Sequence, residues 1–538
     1  MKLYMIMLVC GLAQASFCQE NVAMKLDELM SAYHKTNKFN GSVLIAQKGK
    51  ILLQKGYGYS NVTTQKLNDK ESRFLIYSIT KTITSAVILK LVEKGKLSLK
   101  DPLSRFYPTF PKGDSITIEQ LLSHTSGIYD YTHRNDLKDF SEKSFVEFLR
   151  HQPLDFTPGS SWSYSNSGYW LLGFIIEKIT GMPYEKAVLE IVFKPLQMQN
   201  SGFDFKDLVN KNKTTGYELF NEVESKESEI YEAPGPYAAG AVYSTISDLY
   251  KYHQALQNFS LLQKSTLEKA YTPVKNDYGL GWMIRSFEGA PVYSHSGGAA
   301  GFRSNFLRLP SEDICIILLN NNEGANLEFV AKNILNVLFK KPYDIPSEII
   351  VDKEILNRYT GYFRVKPGFT MYITISGKRL AAQATGQPNT ILLAKKADYF
   401  FAEEANGFLE FVADSTGIFN EMIIHQGTNH IKASRIFPKW GLLGTATDKG
   451  WSDSIPDIEM TSDTVNKNIW RVSKIALRDG EFKFRFNNEW MFNFGDNEND
   501  RYLEQDGKNI IIGKGFYDLV LDLTNKEKPL YHVKKSGL

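Results

Sequence analysis

Ser78 and Lys81 stand at the start of an apolar segment, in the order Ser-Ile-Thr-Lys. On a helix, residues three positions apart share a face, so the lysine amine can reach the serine hydroxyl. A serine hydroxyl becomes an effective nucleophile when a base takes its proton, and a lysine can be that base once burial lowers its pKa. The N-terminus of the helix adds a free N–H and partial positive charge that favour a developing oxyanion. The pair predicts nucleophilic acyl chemistry, although this spacing also arises by chance at exposed helix starts.

A second polar group, Tyr164-Ser165-Asn166, lies in a loop rich in Pro, Gly and Ser that enters an apolar helix. Loops held on rigid helices often carry catalytic groups. A tyrosine near a lysine ammonium can have a lowered pKa and act as a base, then as an acid toward the leaving group. Asn166 can donate a hydrogen bond to a substrate carbonyl and accept one from Lys81. The alternative for Tyr164 is a packed ring with its hydroxyl at the surface.

A third group, His295-Ser296-Gly297-Gly298, precedes an alternating apolar segment that predicts a strand. Gly297 and Gly298 let the backbone approach a ligand closely, and an edge-strand N–H there could complete an oxyanion hole. His295 could act as a cation or a hydrogen-bond donor that faces a substrate carboxylate or the tyrosine. A lone histidine is more often structural, and paired glycines more often form a turn.

The elements that must position these groups follow from hydrophobic periodicity. Segment 41–61 predicts a β-hairpin, and 78–95 and 167–181 predict buried helices. Segment 243–256 predicts a helix with Ser247 as its capping residue, and 302–339 predicts two strands around Pro310 followed by a helix. A hairpin first, helices in the middle and strands with a helix last favour an antiparallel sheet flanked by helices, an α+β fold.

The three groups, in this chain order, resemble the serine β-lactamase and penicillin-binding-protein family. The closest resemblance is to its branch of class C β-lactamases, D-alanyl-D-alanine carboxypeptidases and esterases. Supporting matches are LLSHTSGIYDY (121–131), FTPGSSWSYSNSGYWLLG (156–173) and GAVYSTISDLYKY (240–252). The resemblance covers about residues 25–340 and defines a hydrolase domain at 20–340.

The resemblance implies a helical subdomain beside the sheet, with the active site between them. Ser78 would be the acylated nucleophile, and Lys81 and Tyr164 would handle protons. Asn166 would orient the substrate, and the N–H groups of Ser78 and of the Gly297–Gly298 region would form the oxyanion hole. A small acyl donor is the implied substrate, either a D-amino-acid peptide or amide, or an ester.

One departure from the family concerns the third group. Many β-lactamases and carboxypeptidases carry Lys-Thr-Gly where this chain has His295-Ser296-Gly297. His295 is then a substrate-binding residue with a weaker positive charge than lysine. This difference favours a peptidase or esterase over a dedicated antibiotic hydrolase.

Two all-β domains are predicted after a linker at 341–355, which carries two prolines and many charges. Residues 356–437, with YTGYFRV and LEFVAD, resemble a lipocalin-like β-barrel domain that is often fused behind such hydrolases. Residues 441–538 resemble β-sandwich modules of starch-binding outer-membrane proteins. Trp451, in a turn rich in Gly and Asp, is the candidate glycan contact, whereas Trp470 and Trp490 lie in alternating strands and are predicted core residues.

The N-terminus predicts export, because Lys2 is followed by an apolar run and then by small residues, as in a signal peptide at 1–19. Phe17 disfavours lipid attachment at Cys18, and Cys315 is predicted to be a buried thiol. The periplasm, the outer surface or the medium would be the destination. No later stretch is long enough for a membrane span.

Composition narrows the function further. A net charge of +3 without a basic run gives no support for nucleic-acid binding. The nine histidines show no metal-binding spacing, and no glycine-rich phosphate loop occurs, so neither a metal nor a cofactor is predicted. The alternative to an enzyme is a surface protein that binds a glycan or an envelope polymer and has a weak hydrolase domain.

Overall fold

The computed structural model describes residues 21–133, 139–209, 212–221, 223–230, 236–387, 389–403, 405–437, 439–452, 455–525 and 528–536. The chain divides into two compact units between Ser347 and Glu348. The predicted signal peptide, residues 1–19, lies outside the described residues.

The first unit is built on a six-stranded antiparallel sheet in the order β2-β1-β12-β11-β10-β9. Its strands are β1 Gly41–Gln47, β2 Lys50–Tyr57, β3 Tyr59–Asn61, β4 Lys66–Leu67, β5 Phe74–Leu75, β6 Tyr217–Phe220, β7 Ser225–Glu227, β8 Tyr243–Ser244, β9 Met283–Phe287, β10 Ala290–Ala299, β11 Phe302–Leu309 and β12 Ile314–Asn320. Its helices are α1 over 21–35, α2 Thr80–Glu93, α3 Ile118–Leu122, α4 Glu142–Arg150, α5 Asn166–Thr180, α6 Tyr184–Val188, α7 Tyr237–Gly240, α8 Ile246–Gln257, α9 Lys264–Ala270 and α10 Leu327–Leu338. The predicted α+β fold is confirmed.

Strand β12 shows why this sheet has helices on both faces. Every residue of β12 is buried, and successive side chains of a strand point to opposite faces. Ile314, Ile316 and Leu318 share one core with α1 and α10. The alternate residues, among them Cys315 and Ile317, join the larger core of α2, α5 and α8. The continuous apolar run is therefore a strand buried on both faces, and the thiol of Cys315 is buried as predicted.

The predicted helices occur with small shifts at their ends. The helix expected at 78–95 is α2, and Ser78 lies in the short 3-10 turn that precedes it. Helix α5 ends at Gly181, whose φ of 67° is the left-handed conformation that glycine adopts readily. The cap of α8 is Thr245 rather than Ser247, because the Thr245 side chain accepts the Asp248 N–H from the position just before the first helical residue.

The second unit opens with a closed antiparallel barrel formed by β13 to β20. The strands are β13 Gly361–Lys366, β14 Phe369–Ser376, β15 Arg379–Ala384, β16 Thr390–Ala394, β17 Tyr399–Ala402, β18 Gly407–Ala413, β19 Phe419–Gln426 and β20 Asn429–Ile436. Helix α11, Lys353–Tyr359, begins inside the predicted linker. Leu356 and Tyr359 of this helix join the barrel core, and so does Val351 of the predicted linker.

Two antiparallel sheets follow, in the orders β22-β21-β25-β26-β27, with β28 beside β25, and β23-β24-β29-β30. The strands are β21 Trp440–Leu443, β22 Ile458–Glu459, β23 Thr461–Ser462, β24 Ile469–Leu477, β25 Gly480–Phe486, β26 Glu489–Gly495, β27 Glu504–Gln505, β28 Ile510–Ile512, β29 Gly515–Asp522 and β30 Leu530–Lys535. The two sheets share one hydrophobic core. The all-β character of this region is confirmed.

The barrel and the two sheets pack against each other inside the second unit. The rings of Tyr362 and Phe486 lie 4.4 Å apart, centroid to centroid. The Glu489 carboxylate accepts from Arg364 at 3.2 Å and from Thr370 at 2.8 Å. The two predicted β domains therefore form a single compact unit.

None of the helices within the described ranges has the length and apolar character needed to cross a membrane.

Candidate active site

Ser78 lies in a buried turn between β5 and α2. Tyr77, the residue before it, has a φ of 43°, a conformation that costs a non-glycine residue about 1–3 kcal/mol. The Ile76 N–H donates to Val242 O at 3.0 Å, and the Ile79 N–H donates to Ile76 O at 3.2 Å. These bonds and the burial of Tyr77 hold a backbone conformation that is otherwise rare, and such strain is typical of functional sites.

Lys81 is fully buried beneath Ser78, one turn along the helix. Its Nζ lies 3.0 Å from Ser78 Oγ, 2.9 Å from Asn166 Oδ1 and 2.8 Å from Ala239 O. Burial lowers the pKa of Lys81 to about 7, against the opposing effect of the Asp130 carboxylate. The free amine is therefore well populated at neutral pH, and its lone pair lies within reach of the serine proton.

Asn166 is held by Asp130, a residue that the sequence reasoning did not single out. The backbone N–H and the side-chain amide of Asn166 both donate to Asp130 Oδ2, at 2.9 and 3.0 Å. These two hydrogen bonds orient the amide oxygen of Asn166 toward Lys81. Asp130 belongs to the LLSHTSGIYDY segment, so the resemblance to the family could have identified it. The carbonyl of Ala239 could not be identified from the sequence, because every residue has a backbone carbonyl.

Tyr164 packs above Lys81, with the ring centroid 4.8 Å from Nζ. Burial raises the pKa of Tyr164, and the negative charge of Asp130 raises it further. A hydrogen bond with the Ser78 side chain acts in the opposite direction and lowers this pKa. The lowered pKa considered in the sequence argument is therefore wrong. Tyr164 is a neutral phenol, suited to pass or donate a proton rather than to act as the resting base.

His124, also absent from the sequence-based site, lies against Tyr164 with ring centroids 4.3 Å apart. Its Nδ1 accepts the backbone N–H of Ser165 at 3.1 Å, which assigns the proton to Nε2. Burial, and then the nearby Lys81, keep the pKa of His124 well below its usual range. The neutral ring thus fixes the loop that carries Tyr164 without adding a charge to the site.

His295 is buried, and each of its two ring nitrogens has a hydrogen-bond partner. Nδ1 lies 2.7 Å from the Ser296 carbonyl, to which it must donate, so Nε2 accepts from the Tyr278 hydroxyl at 2.9 Å. Burial and the nearby Lys81 lower the pKa of His295 to about 3. His295 was considered as a cation or a hydrogen-bond donor that faces a substrate carboxylate or Tyr164. The geometry favours none of these roles, because the ring donates to Ser296 O and accepts from Tyr278.

Gly297 brings strand β10 against the nucleophile. A Cβ atom at this position would lie 2.2 Å from Ile76 O and 2.9 Å from Ser78 N, a space that no side chain can occupy. Gly298 follows and is exposed. Strand β9 pairs with β10 only as far as Ser294, so the edge from His295 onward lacks a paired strand among the described residues. Backbone donors of this edge and of Ser78 are therefore close to each other.

The three tryptophans of the second unit differ in environment. Trp470 is 8% exposed and packs in the core, as predicted. Trp490 is 39% exposed, so its prediction as a core residue is wrong. It is the second residue of β26, close to the hairpin turn that precedes this strand. Its ring centroid lies 6.2 Å from that of Trp451, which is half-buried, and the two planes are tilted by 35°.

Among the described residues, no group of three or more His, Cys, Asp or Glu side chains could hold a metal ion.

The fold and the Ser78–Lys81 geometry are those of a serine acyl-hydrolase. The Beta-lactamase family profile matches residues 26–339, and a second profile, a domain of unknown function (DUF3471), matches residues 346–436. The chain belongs to the Beta-lactamase family, a serine hydrolase family that includes penicillin-binding proteins.

Some relatives of this chain carry the name penicillin-binding protein. Penicillin-binding protein 4* of Bacillus subtilis is 30% identical over 73% of this chain and 94% of its own length. The octameric penicillin-binding protein homologue from Pyrococcus abyssi has a TM-score of 0.55 and 25% identity, over 76% of this chain and 99% of that one. D-amino acid amidase from Ochrobactrum anthropi shares the fold, with a TM-score of 0.52 and 22% identity over 60% of this chain and 99% of that one.

Proposed function

We propose that this protein is an exported acyl-serine hydrolase that acts on D-amino-acid peptides, amides or esters through an acyl-enzyme at Ser78. The observation that carries the proposal is the pair formed by Ser78 Oγ and Lys81 Nζ, 3.0 Å apart, with the pKa of Lys81 lowered to about 7. A free amine at hydrogen-bond distance from a serine hydroxyl is the arrangement that activates this nucleophile.

Acylation follows from the positions of these groups. The Lys81 amine takes the Ser78 proton as Oγ attacks the substrate carbonyl carbon. The negative oxygen of the tetrahedral intermediate lies near the Ser78 N–H and the β10 edge at Gly297–Gly298. As the intermediate collapses, the bond to the leaving amine or alcohol breaks, and Tyr164 gives this group its proton and takes the proton held by Lys81. Asn166 keeps Lys81 in place and donates to the substrate carbonyl.

Deacylation reverses these roles. A water molecule loses its proton to the Lys81 and Tyr164 pair and attacks the acyl carbon, and the bond to Ser78 Oγ breaks as the proton returns to Oγ. The product acid leaves, and Ser78 is free again. An amine in place of water would give a transpeptidation product by the same steps.

The substrate class rests on two supports. The name of the Bacillus subtilis relative supports a serine that reacts with penicillin, itself an acyl donor. The neutral His295, in place of a lysine, provides no cation for a carboxylate near Tyr278. A peptidase, amidase or esterase fits this site better than a dedicated antibiotic hydrolase.

The test combines labelling and turnover. A fluorescent penicillin or a phosphonate is expected to label Ser78, with the added mass located on its peptide. D-amino-acid amides and p-nitrophenyl esters are expected to be hydrolysed by the wild type and untouched by Ser78→Ala. Ser160→Ala, at an exposed serine, is the matched control and keeps full activity. Absence of both labelling and turnover in the wild type contradicts the proposal.

Export is part of the proposal and rests on the first residues, 1–19. The full-length chain, expressed with its own N-terminus in a Gram-negative host, is expected to appear outside the cytoplasm without this segment. Mass spectrometry of the N-terminal peptide of the mature protein identifies the cleavage site. Retention of the uncut chain in the cytoplasm contradicts export and leaves the hydrolase proposal untouched.

A second candidate function, glycan binding by the second unit, is favoured by the tilted pair of Trp451 and Trp490. Accessible aromatic rings offer flat apolar faces to sugar rings. Affinity electrophoresis in gels that contain starch or cell-envelope polysaccharide is expected to retard the wild type. Trp490→Ala should remove this retardation, whereas Tyr502→Ala, at an exposed ring of the same unit, should leave it unchanged. Unchanged mobility of the wild type in every polysaccharide contradicts this function.

A further inference from the structure

Arg303 covers the exposed Gly298 at the edge of the active site. Strands β10 and β11 are antiparallel, with Gly298 directly opposite Arg303. A Cβ atom at Gly298 would lie 2.7 Å from Arg303 Cδ and 2.9 Å from Nη1. The missing side chain at Gly298 therefore makes room for a guanidinium group against the backbone that follows Gly297.

The Arg303 guanidinium makes two hydrogen bonds, and these use only part of its N–H donors. Nη1 donates to Phe302 O at 2.9 Å, and Nη2 donates to Glu323 Oε1 at 3.3 Å. Glu323 is itself fixed by the Gly301 N–H, which donates to Oε2 at 3.1 Å. A guanidinium carries five N–H donors. The remaining donors of Arg303 have no acceptor in the part of the chain that the structure describes, and the side chain is 31% exposed.

The position of Arg303 relative to Ser78 follows from the sheet. Ser304 Oγ donates to Ile76 O at 2.8 Å, so Ser304 and Gly297 share the face that carries the Ser78 turn. Arg303 lies on the opposite face, at the same height along β10. A substrate that runs along this edge therefore meets Ser78 on one side and the guanidinium on the other.

The direction of the substrate along the edge decides which of its parts meets Arg303. Tyr164, the proposed donor to the leaving group, lies on the His295 side, with its ring centroid 6.3 Å from that of His295. The leaving group therefore departs toward His295. The acyl group extends the other way, past Gly298 and Arg303.

We propose that Arg303 recognises an anionic group, a carboxylate, in the acyl portion of the substrate. This inference rests on the proposed function. A guanidinium binds a carboxylate through two parallel N–H donors, which a lysine cannot reproduce. His295 is neutral and Lys81 is buried, whereas the Arg303 side chain beside this edge is 31% exposed and carries a positive charge. Glu323 holds the guanidinium in place and competes with the substrate for it.

The experiment compares two esters that differ in one charge: mono-p-nitrophenyl glutarate, with a free carboxylate on its acyl chain, and the methyl ester of the same compound. For Arg303→Gln, kcat/KM for the charged ester is expected to fall about tenfold, because a charge-assisted hydrogen bond at a partly exposed site is lost. The neutral methyl ester should react as with the wild type. Arg285→Gln, at an exposed arginine of β9, is the matched control and should change neither rate.

Glu323→Gln gives the opposite change, because the competing carboxylate is removed. Its kcat/KM for the charged ester is expected to rise a few-fold, with no change for the methyl ester. Arg303→Lys should recover only part of the loss, since the ammonium lacks the planar pair of donors.

The outcomes separate this inference from the proposed function. Mass spectrometry of the Ser78 peptide reports acylation independently of the rates. If Ser78 takes up neither acyl group in the wild type and is also unreactive in the labelling and turnover tests of the proposed function, the hydrolase proposal is wrong, and the inference with it. If those tests succeed and neither glutarate ester acylates Ser78, the hydrolase stands and the inference is wrong. If both esters acylate Ser78 and Arg303→Gln slows them equally, or slows neither, the hydrolase stands and the recognition of a carboxylate by Arg303 is wrong.

Discussion

The lowered pKa of Lys81 is expected to make the rate of the proposed Ser78 acylation depend steeply on pH just below neutrality. Acylation needs the free amine, and with a pKa of about 7 about half of the enzyme has it at pH 7. At about pH 5 the fraction is roughly 1%, so the rate is expected to fall about fiftyfold. A lysine with its ordinary pKa of about 10.4 would have only about 0.04% free amine at pH 7.

The assay is rapid quenching of the wild type with a neutral activated ester, followed by mass measurement of acyl-Ser78. A neutral ester keeps the charge on Arg303 out of the comparison. The acylation rate is expected to follow a single ionisation near pH 7 and to level off above it. Lys94→Met, at an exposed lysine just after α2, is the control and should leave the profile unchanged.

Two results would refute this reasoning. A profile that is flat from about pH 5 to about pH 8 would mean that Lys81 is not the group that takes the proton. A rate that still climbs above about pH 9 would mean that burial does not lower the pKa of Lys81 enough to supply the base at neutral pH.

Asp130→Asn removes the carboxylate that raises the pKa of Lys81, so the acidic limb of the acylation profile should move to lower pH; a limb that moves upward contradicts this. Lys81→Met should abolish acylation and stabilise the fold. The native state binds fewer protons than the unfolded state between pH 7 and the ordinary lysine pKa, so wild-type stability relative to this variant should rise across that window. The rise is at most about 5 kcal/mol, because the pKa of Lys81 is lowered from its ordinary value to about 7, and urea titrations at several pH values measure it. Gly297→Ala should slow acylation at least about a hundredfold, because its Cβ would displace the Ser78 turn. Gly324→Ala should not, because the nearest atom to its Cβ, Asn322 Oδ1, would lie 3.7 Å away, an ordinary van der Waals contact. Equal rates of the two variants in circular-dichroism-matched samples contradict this.

The second unit was the harder part to derive from the sequence. Alternating segments predicted β structure correctly, because the period of two belongs to each strand by itself. Trp490 occupies such a segment and is nevertheless exposed, because a strand pattern does not tell which side of a sheet will be covered. The packing of Tyr362 on Phe486, which joins barrel and sheets into one unit, depends on residues far apart in the chain.

The sequence by itself predicted the pairing of Ser78 with Lys81 and the family of the chain. Ser78 and Lys81 are three positions apart, so local helix geometry alone brings their side chains together. The order of Tyr164, Asn166 and His295 along the chain was sufficient for the family. The contact between Ser78 and Lys81 follows from short-range spacing, and the family follows from a pattern that its members share.

Only the tertiary structure decided the protonation states and the supporting contacts. The pKa of Lys81 falls because the fold excludes water around it, and those of Tyr164 and His295 move for the same reason. Asp130 and His124 reach the site through loops, and Arg303 reaches it through the pairing of β11 with β10. Burial and cross-strand neighbours arise from contacts between distant segments, and no local pattern of residues encodes them.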